Sequence, residues 1–325
     1  MSRKRPKILL TNGDPNGIGP EIILKIFSQG SIANKFNLKV AGSKKILDHY
    51  SSLLNLPEID QNSITEIPLP GNFKINPGKI NKLAGKFSGD SVRKTAELCM
   101  KNEYDAMVTL PVSKEAFNLG GYNFPGHTEM LAKVTASNDT VMILHSDKFS
   151  VALVTGHIAV KEVSRRLTEN LLFSKILTAN NSLVKDFGIN HPKIAVLSLN
   201  PHAGDGGLIG KEEINVINPL IEKMNSAGFN IRGPYSSDGY FAGKTYTKFD
   251  ITIALYHDQG LIPFKMISFE RGVNFTAGLN IIRTSPDHGT GFDIAGFGKA
   301  NPSSTISAIK LAAKLAERKS GILSK

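Results

Sequence analysis

Three histidines each follow an apolar run that is typical of a β-strand. The runs are VALVTGH, ending at His157, AVLSLNPH, ending at His202, and TIALYH, ending at His257. Ligands of open α/β sheets gather beyond the carboxyl ends of the strands, so three imidazoles there could converge on one cation. Three protein ligands and an open position form a catalytic zinc site, and other divalent metals tolerate imidazole. Any one histidine alone is better explained as a loop contact, but the repeated position favours a metal.

Two aspartates follow these histidines closely. Asp205 lies in NPHAGDGG after His202, and Asp258 comes directly after His257. A carboxylate that accepts the second ring N–H of a metal-bound histidine fixes the orientation of that ring. We therefore expect Asp205 and Asp258 to orient imidazoles.

Candidate anion-binding residues occur in two segments. FPGHTEML places His127 and Thr128 at a predicted helix start, where free N–H groups attract anions. The alternative there is that Thr128 only caps the helix. Lys and Arg bind phosphate or carboxylate, Arg in a bidentate way. Taken alone, each residue of the second segment is better explained as ordinary surface polarity; they are Lys265, Asn274 and Arg283.

A glycine-rich loop, SPDHGTGFDIAGFGKANPSS, precedes the last predicted helix. Its glycines leave little side-chain cover and let the backbone approach a ligand closely. A loop that binds adenine and ribose has this composition, and so has a plain surface loop. The residues that would line a nucleotide are His288, Gly289, Thr290, Gly291 and Asp293.

The length and composition of the chain are those of an ordinary globular protein. It has 325 residues, a net charge of +11 and one cysteine, Cys99. The basic residues are scattered without a nucleic-acid-binding signature, so anionic small molecules or a solvated basic surface explain the charge better than nucleic acid. No apolar run reaches membrane-spanning length, and no signal peptide is evident. We expect a cytoplasmic protein that binds neither nucleic acid nor membrane.

The elements that must position these residues alternate along the chain. Apolar runs rich in Val, Ile and Leu, such as KILLT, KIAVLSLN and DITIALYH, are typical of buried, mostly parallel strands. Helix-period segments lie between them. The class is therefore α/β. The stretch from residue 51 to 81 is rich in turn residues and is predicted to be irregular.

The turn GDPNGIGPEI near the N-terminus raises the question of a nucleotide site. Its glycines are Gly13, Gly17 and Gly19, and this spacing does not match the Gly-x-Gly-x-x-Gly dinucleotide fingerprint. The turn instead resembles the N-terminal signature of the isocitrate and isopropylmalate dehydrogenase superfamily. SPDHGTGFDIAG resembles the adenosine-binding loop of that superfamily.

PGHTE, LNPHAGDGG and YHDQGLIPFK narrow the resemblance to the 4-hydroxythreonine-4-phosphate dehydrogenases of pyridoxal 5′-phosphate biosynthesis, over nearly the whole chain. The resemblance implies a fold that is not Rossmann, with two α/β/α domains around a central cleft. The first domain would take residues 1–125 and 280–325, and the second 126–279. It also implies a homodimer whose metal site draws ligands from both subunits.

Carried over by position, the resemblance implies four groups of site residues. The metal ligands, for Zn, Co or Mg, would be His157, His202 and His257. The cofactor, NAD more than NADP, would lie at the loop 288–293. Lys265 or Asp258 would relay protons. Substrate contacts would come from His127, Thr128, Lys265, Asn274 and Arg283.

The implied reaction is oxidation of 4-phosphooxy-L-threonine at C3 by NAD, giving a β-keto acid that loses CO2 to form 3-amino-2-oxopropyl phosphate. Two alternatives stay open. One is a paralogous dehydrogenase acting on D-threonate 4-phosphate or erythronate 4-phosphate, because exchanging an amino group for a hydroxyl changes few contacts. The other is a non-catalytic, metal-stabilised nucleotide-binding protein.

Overall fold

Strands and helices alternate along the chain in the computed structural model, which describes residues 5–124, 126–269 and 271–321. The α/β class expected from the sequence is confirmed. The strands in these residues are β1 (Lys7–Thr11), β2 (Asn37–Gly42), β3 (Ile64–Glu66), β4 (Ala106–Val108), β5 (Val141–His145), β6 (Ser150–Leu153), β7 (Lys193–Leu197), β8 (Asn230–Tyr235), β9 (Ile251–Ala254), β10 (Val273–Ala277) and β11 (Ile282–Pro286).

The α-helices range from single turns to long amphipathic segments. Helix α4 begins at an N-cap asparagine, Asn81, whose side chain accepts hydrogen bonds from two first-turn N–H groups. In the described residues they are α1 (Gly19–Ser28), α2 (Ser31–Lys35), α3 (Lys44–Leu54), α4 (Lys82–Met100), α5 (Lys114–Leu119), α6 (His127–Val134), α7 (Val163–Arg166), α8 (Glu169–Lys185), α9 (Asn218–Ser226), α10 (Ser237–Ala242), α11 (His257–Ser268) and α12 (Ser303–Lys319).

The chain divides into two units. The first runs to Asn138 and resumes at Leu279, and the second runs from Asp139 to Gly278. In the first unit the strand order is β3-β2-β1-β4-β11, and each neighbouring pair is parallel. Helix α4 packs on β1 and β2, and α12 packs on β4 and β11. Because helices cover the strands, β1 and β4 are almost wholly buried and apolar, as parallel strands usually are.

In the second unit the strand order is β10-β5-β6-β9-β7-β8. Strand β5 pairs antiparallel with both β10 and β6, whereas β6, β9, β7 and β8 run parallel. Helix α8 packs on β5 and β6, and α11 packs on β6 and β9. Since β6, β9 and β7 are parallel neighbours, the segments that follow them leave the sheet at the same edge.

The break between the units differs from the boundary at 125/126 expected from the sequence. Helix α6, which follows that position, lies in the first unit. Its side chains Met130 and Leu131 are buried in one cluster with Val92 and Ala96 of α4. The apolar face of α6 therefore binds it to the first unit, and the break falls after Asn138. No helix among the described residues is long and apolar enough to cross a membrane.

Candidate active site

Two of the three strand-end histidines lie side by side. The ring centroids of His157 and His257 are 5.6 Å apart, with 46° between the ring planes. His257 is the first residue of α11, and its Nδ1 donates a 2.7 Å hydrogen bond to Asp258 Oδ1. This contact is the one expected of Asp258 from the sequence, a carboxylate that orients the imidazole ring.

His202 lies in a turn whose backbone is left-handed. His202, Ala203 and Asp205 have φ values of 51°, 54° and 43°, and the intervening and following glycines are left-handed as well. Such a conformation costs roughly 1–2 kcal/mol for each residue that is not glycine. The turn therefore holds His202 in a strained geometry that the surrounding structure must enforce.

Glu213 holds the base of this turn, and nothing in the sequence pattern pointed to it. It is 1% exposed. Its Oε1 accepts hydrogen bonds of 2.8 Å from the backbone N–H groups of Leu199 and Asn200, and its Oε2 accepts one of 2.8 Å from the Asn200 side chain. A buried carboxylate with three donors is well satisfied. Its position inside the sequence run KEEINV gave no sign of this role.

His202 does not join the other two histidines within one chain. Among the described residues, no three His, Cys, Asp or Glu side chains are arranged to hold a metal ion. The charge of His202 instead acts on Asp238 of α10. The pKa of Asp238 is lowered first by the hydroxyl of Ser236 and then by the Gly239 N–H, and His202 adds to the effect. No hydrogen bond links Asp205 to His202 in the described residues, so the acidic neighbour of His202 is Asp238.

Two further candidate residues belong to the second unit. Lys265 lies on α11, half-buried, two turns beyond His257. Asn274 lies on β10, and its Oδ1 is buried without a hydrogen-bond partner among the described residues. A buried amide oxygen without a partner is costly, so Asn274 is ready to accept a hydrogen bond from a ligand.

His127 faces a small pocket in the first unit. It is the first residue of α6, as the sequence predicts, and its ring packs edge-on against Phe117 with centroids 5.7 Å apart. Its Nε2 is buried and has no partner among the described residues. Burial lowers the pKa of His127 to about 3, and the charges of Arg283 and Lys114 add to the shift. His127 is therefore a neutral imidazole near pH 7.

Thr128 does not cap α6. The N-cap is Gly126, and no side chain caps the helix. The alternative explanation of Thr128 as the capping residue is therefore wrong. The first-turn N–H groups of α6, beside His127, keep their capacity to bind an anion.

Arg283 is a buried cation in the first unit. It lies on β11, is 3% exposed, and its Nε donates a 2.9 Å hydrogen bond to Thr109 Oγ1. Burial lowers its pKa to about 10, and the nearby carboxylate of Glu129 opposes that shift. The guanidinium stays charged at neutral pH. Surface charge therefore does not explain Arg283, although it was the simplest explanation of the residue alone.

The glycine turn near the N-terminus packs against the predicted cofactor loop. The N–H of Ile18 donates a 2.9 Å hydrogen bond to Thr290 O. A Cβ on Gly17 would lie 2.9 Å from that same oxygen, which is too close, so only glycine allows the contact. The two motifs thus form one substructure, and the glycines of the turn serve loop packing.

Glu21 and Lys25 of α1 hydrogen-bond to the end of the predicted cofactor loop. Glu21 accepts hydrogen bonds from the N–H groups of Gly298 and Ala300, and Lys25 donates to their carbonyls at 2.8 and 2.7 Å. Within the loop, His288 Nε2 is buried and lacks a partner among the described residues. Asp293 is exposed. The loop thus combines a fixed backbone with two polar side chains that a ligand could contact.

Asp14 is a buried carboxyl group in the same turn. Its Oδ1 accepts a 2.9 Å hydrogen bond from the N–H of Asn16, and its Oδ2 has no partner among the described residues. Burial raises the pKa of Asp14 to about 6, although backbone hydrogen bonds from Asn16 and Ser113 oppose the shift. The sequence pattern indicated no role for Asp14.

Comparison with known proteins gives one family for almost the whole chain. The model of the family described as pyridoxal phosphate biosynthetic protein PdxA matches residues 34–312. A 4-hydroxythreonine-4-phosphate dehydrogenase from Sulfurihydrogenibium sp. is 42% identical over 317 residues, which cover 94% of this chain and 97% of the relative.

A second kind of relative is almost as similar. A D-threonate 4-phosphate dehydrogenase from Pectobacterium atrosepticum is 39% identical and covers 95% of this chain and 99% of its own length. Among solved structures, a 4-hydroxythreonine-4-phosphate dehydrogenase from Klebsiella pneumoniae superposes with a TM-score of 0.87 at 36% identity, covering 97% of this chain and 99% of that one.

Proposed function

Because the chain belongs to the PdxA family of pyridoxal phosphate biosynthetic proteins, we propose that it oxidises 4-phosphooxy-L-threonine at C3 in pyridoxal 5′-phosphate biosynthesis. The product, 2-amino-3-oxo-4-phosphooxybutanoate, is a β-keto acid that loses CO2 to give 3-amino-2-oxopropyl phosphate. The proposal rests on the similarity, over 94% of the chain, to a relative named 4-hydroxythreonine-4-phosphate dehydrogenase. The lone cysteine, Cys99, is buried and unpaired, which fits a reducing cytoplasm.

The first unit supplies the groups that would bind the anionic end of this substrate. Arg283 is a buried charge whose guanidinium can hold phosphate or carboxylate oxygens. His127 is neutral, and its buried Nε2 faces no protein partner among the described residues, so it can hydrogen-bond a substrate oxygen. Thr128 and the N–H groups of the same helix turn lie next to it.

The second unit supplies the groups that would act at C3. Lys265 on α11 or Asp258 at its start would take the proton of the C3 hydroxyl and later protonate the carbon that loses CO2. Asp258 already holds His257, so its carboxylate is positioned before substrate binds. Asn274 offers a buried amide oxygen to a donor such as the substrate ammonium group.

The donor sets fit a divalent cation and NAD. Imidazole nitrogens suit Zn or Co better than Mg alone, and His157 and His257 are close enough to share an ion. The loop with His288, Gly289, Thr290, Gly291 and Asp293 offers open backbone and a buried imidazole nitrogen to a nucleotide. When bound, NAD would supply the hydride acceptor, and a divalent cation would supply Lewis-acid polarisation of the C3 oxygen.

We also propose a homodimer in which His202 completes the pair His157 and His257 of the other subunit. His202 stands apart from that pair within one chain, so a third ligand must come from elsewhere. Large apolar side chains are exposed next to each part of the site. Leu208, just after His202, is 86% exposed, and Met266 and Phe269, on and just after α11, are 82% and 76% exposed. Exposed apolar surface of this kind is usually covered by a partner.

D-threonate 4-phosphate is the second candidate substrate, and a relative of 39% identity that bears that name favours it. The two substrates differ at C2, which carries an amino group in 4-phosphooxy-L-threonine and a hydroxyl in D-threonate 4-phosphate. Both share the C3 hydroxyl, the carboxylate and the 4-phosphate, so both fit the same set of side chains.

The test is NADH formation with purified protein. Absorbance is followed with 4-phosphooxy-L-threonine, D-threonate 4-phosphate and erythronate 4-phosphate, with and without added Zn²⁺, Co²⁺ or Mg²⁺. The proposal expects the highest kcat/KM with 4-phosphooxy-L-threonine and strong dependence on the metal. A higher kcat/KM for D-threonate 4-phosphate would favour the second candidate. Absence of NADH with every substrate, metal and both nicotinamide cofactors would favour a non-catalytic nucleotide-binding protein.

A further inference from the structure

The pocket beside His127 contains a lysine that has so far been given no role. The pocket has a volume of about 60 Å³ and is lined by Val112, Lys114, Phe117, Phe124, Gly126 and His127. A single water needs about 10–15 Å³ on this measure, so the pocket is large enough for a phosphate group. Its walls are mostly apolar, and Lys114 is the basic residue among them.

Lys114 is an exposed cation beside this pocket that forms no direct ion pair in the described part of the chain. Within residues 5–124, 126–269 and 271–321, its ammonium group has no ion-pair or hydrogen-bond partner. The charge of Arg283, by contrast, is opposed by Glu129. His127 is neutral. Lys114 therefore supplies the positive charge that a dianion entering the pocket would meet.

Gly126 keeps the space between these charges open. A Cβ at Gly126 would lie 3.2 Å from Glu129 Oε2 and 4.0 Å from Lys114 Cε. The carboxylate and the lysine stem thus flank the same small gap. A dianion in that gap is repelled by Glu129, so its binding depends on the cation on the other side.

The backbone of Lys114 is held in place by the packing of α5 on α4. A Cβ on Gly85 of α4 would overlap the carbonyl of Ala116, at 1.7 Å, so the two helices touch backbone to backbone there. Ser113 caps α5 by accepting a 3.2 Å hydrogen bond from the Ala116 N–H. Because the backbone is fixed, only the lysine side chain has to be ordered on binding.

We propose that Lys114 is a specificity-determining residue that selects substrates for their phosphate monoester. The inference rests on the proposed function, but it is the same for 4-phosphooxy-L-threonine and D-threonate 4-phosphate, because both carry the 4-phosphate. Arg283, paired with Thr109 and faced by Glu129, then serves the substrate as a second and partly balanced cation.

The test uses three variants of the full-length protein. Lys114→Met removes the charge and keeps the stem, Lys114→Arg keeps the charge, and Lys94→Met removes an exposed lysine of α4 as a matched control. We expect Lys114→Met to raise KM for the phosphorylated substrate at least tenfold, about 1.4 kcal/mol, with kcat changed by less than threefold. The KM of Lys114→Arg should lie within about threefold of wild type, and Lys94→Met should match wild type.

A second measurement does not depend on catalysis. Inorganic phosphate should raise the melting temperature of wild type and of Lys94→Met, and this shift should be lost in Lys114→Met. If wild type turns over none of the phosphorylated substrates, the proposed function fails while phosphate protection still reports on Lys114. If KM and phosphate protection of Lys114→Met equal those of wild type, Lys114 is a solvated surface lysine and the inference is wrong.

Discussion

The proposed anion-binding residues of the first unit and the proposed metal-binding histidines of the second differ in how much of a binding site one chain completes. In the first unit, Arg283 is 3% exposed and bonded to Thr109, and the Nε2 of His127 is already buried. In the second unit, His157 and His202 are exposed, and His202 stands in a strained turn away from its predicted partners.

The difference follows from the ligand that each set of residues is proposed to bind, an anion in the first unit and a metal ion in the second. A buried cation is stable only with hydrogen-bond partners, so the anion half has to be built during folding of the chain. Exposed histidines tolerate solvent, so a metal site built from them could be completed later by the ion and by a second subunit. Substitutions in each half can test whether the two differ in this way.

The largest effect is expected from the histidines. His157→Ala, His202→Ala and His257→Ala should each lower kcat/KM by at least about a hundredfold, because weaker changes around metal ligands already cost 10–100-fold. Co-expression of two variants distinguishes the arrangement. If His202 crosses the dimer interface, its pairings with His157→Ala and with His257→Ala should each recover roughly a quarter of wild-type activity. His157→Ala with His257→Ala should stay inactive.

The reason is that a mixed dimer has one intact and one doubly damaged site only when the two lost ligands come from different subunits. Dimerisation of each variant is checked by size-exclusion chromatography. If all three co-expressed pairs of variants are dimeric but inactive, one chain supplies every metal ligand. The contrast between the residues of the two units would then be wrong.

Arg283 should combine a binding role with a structural one. Arg283→Ala is expected to raise KM for the phosphorylated substrate more than tenfold and also to lower the melting temperature, because it empties a buried position and frees Thr109. Arg283→Lys should be more stable than Arg283→Ala, but its KM should still be raised, because lysine lacks the planar guanidinium with its paired N–H donors. Michaelis–Menten kinetics and thermal unfolding measure the two effects. A stability loss with wild-type KM would show that Arg283 is structural only.

Asp14 should make the first unit less stable at high pH. Its pKa is raised to about 6 from 3.8, so the folded state prefers the protonated form. The free energy of unfolding should therefore fall as pH rises from about 4 to 6 and stay low above that. At pH 8 the free energy of unfolding of Asp14→Asn, from denaturant titration, should exceed that of wild type by on the order of 3 kcal/mol. At pH 4 the two proteins should have the same free energy of unfolding. If the stability difference between the two proteins does not change with pH, burial does not raise the pKa of Asp14.

The smallest effect is expected for cofactor choice. No Lys or Arg directly flanks Asp293 in GTGFDIAG, and the carboxylate is exposed, so it would repel the 2′-phosphate of NADP. We expect higher kcat/KM with NAD, and a several-fold smaller preference in Asp293→Asn. The comparison requires both cofactors under one set of metal and substrate concentrations. A wild-type preference for NADP would contradict the role given to Asp293.

The sequence alone determined the features that depend on neighbouring residues in the chain. Apolar runs located β1, β7 and β9, and a histidine after each of three runs marked one edge of the sheet. Strand β3 was missed because its three residues, Ile64–Glu66, are too few to produce a pattern against a turn-rich background. The start of α6 at His127 was found because a glycine directly precedes a helix-period segment.

Only the tertiary structure decided which of these residues meet. His157 and His257 follow the neighbouring strands β6 and β9 and lie together. His202 follows β7, which also neighbours β9, but it lies in a left-handed turn and acts on Asp238 of α10, which is distant in the chain. Burial depends on every element packed around a side chain, so the sequence alone could not show that Arg283 is buried or that His127 is neutral at pH 7. Long-range contacts and the burial of single polar side chains are set by packing between distant segments, which local residue patterns do not specify.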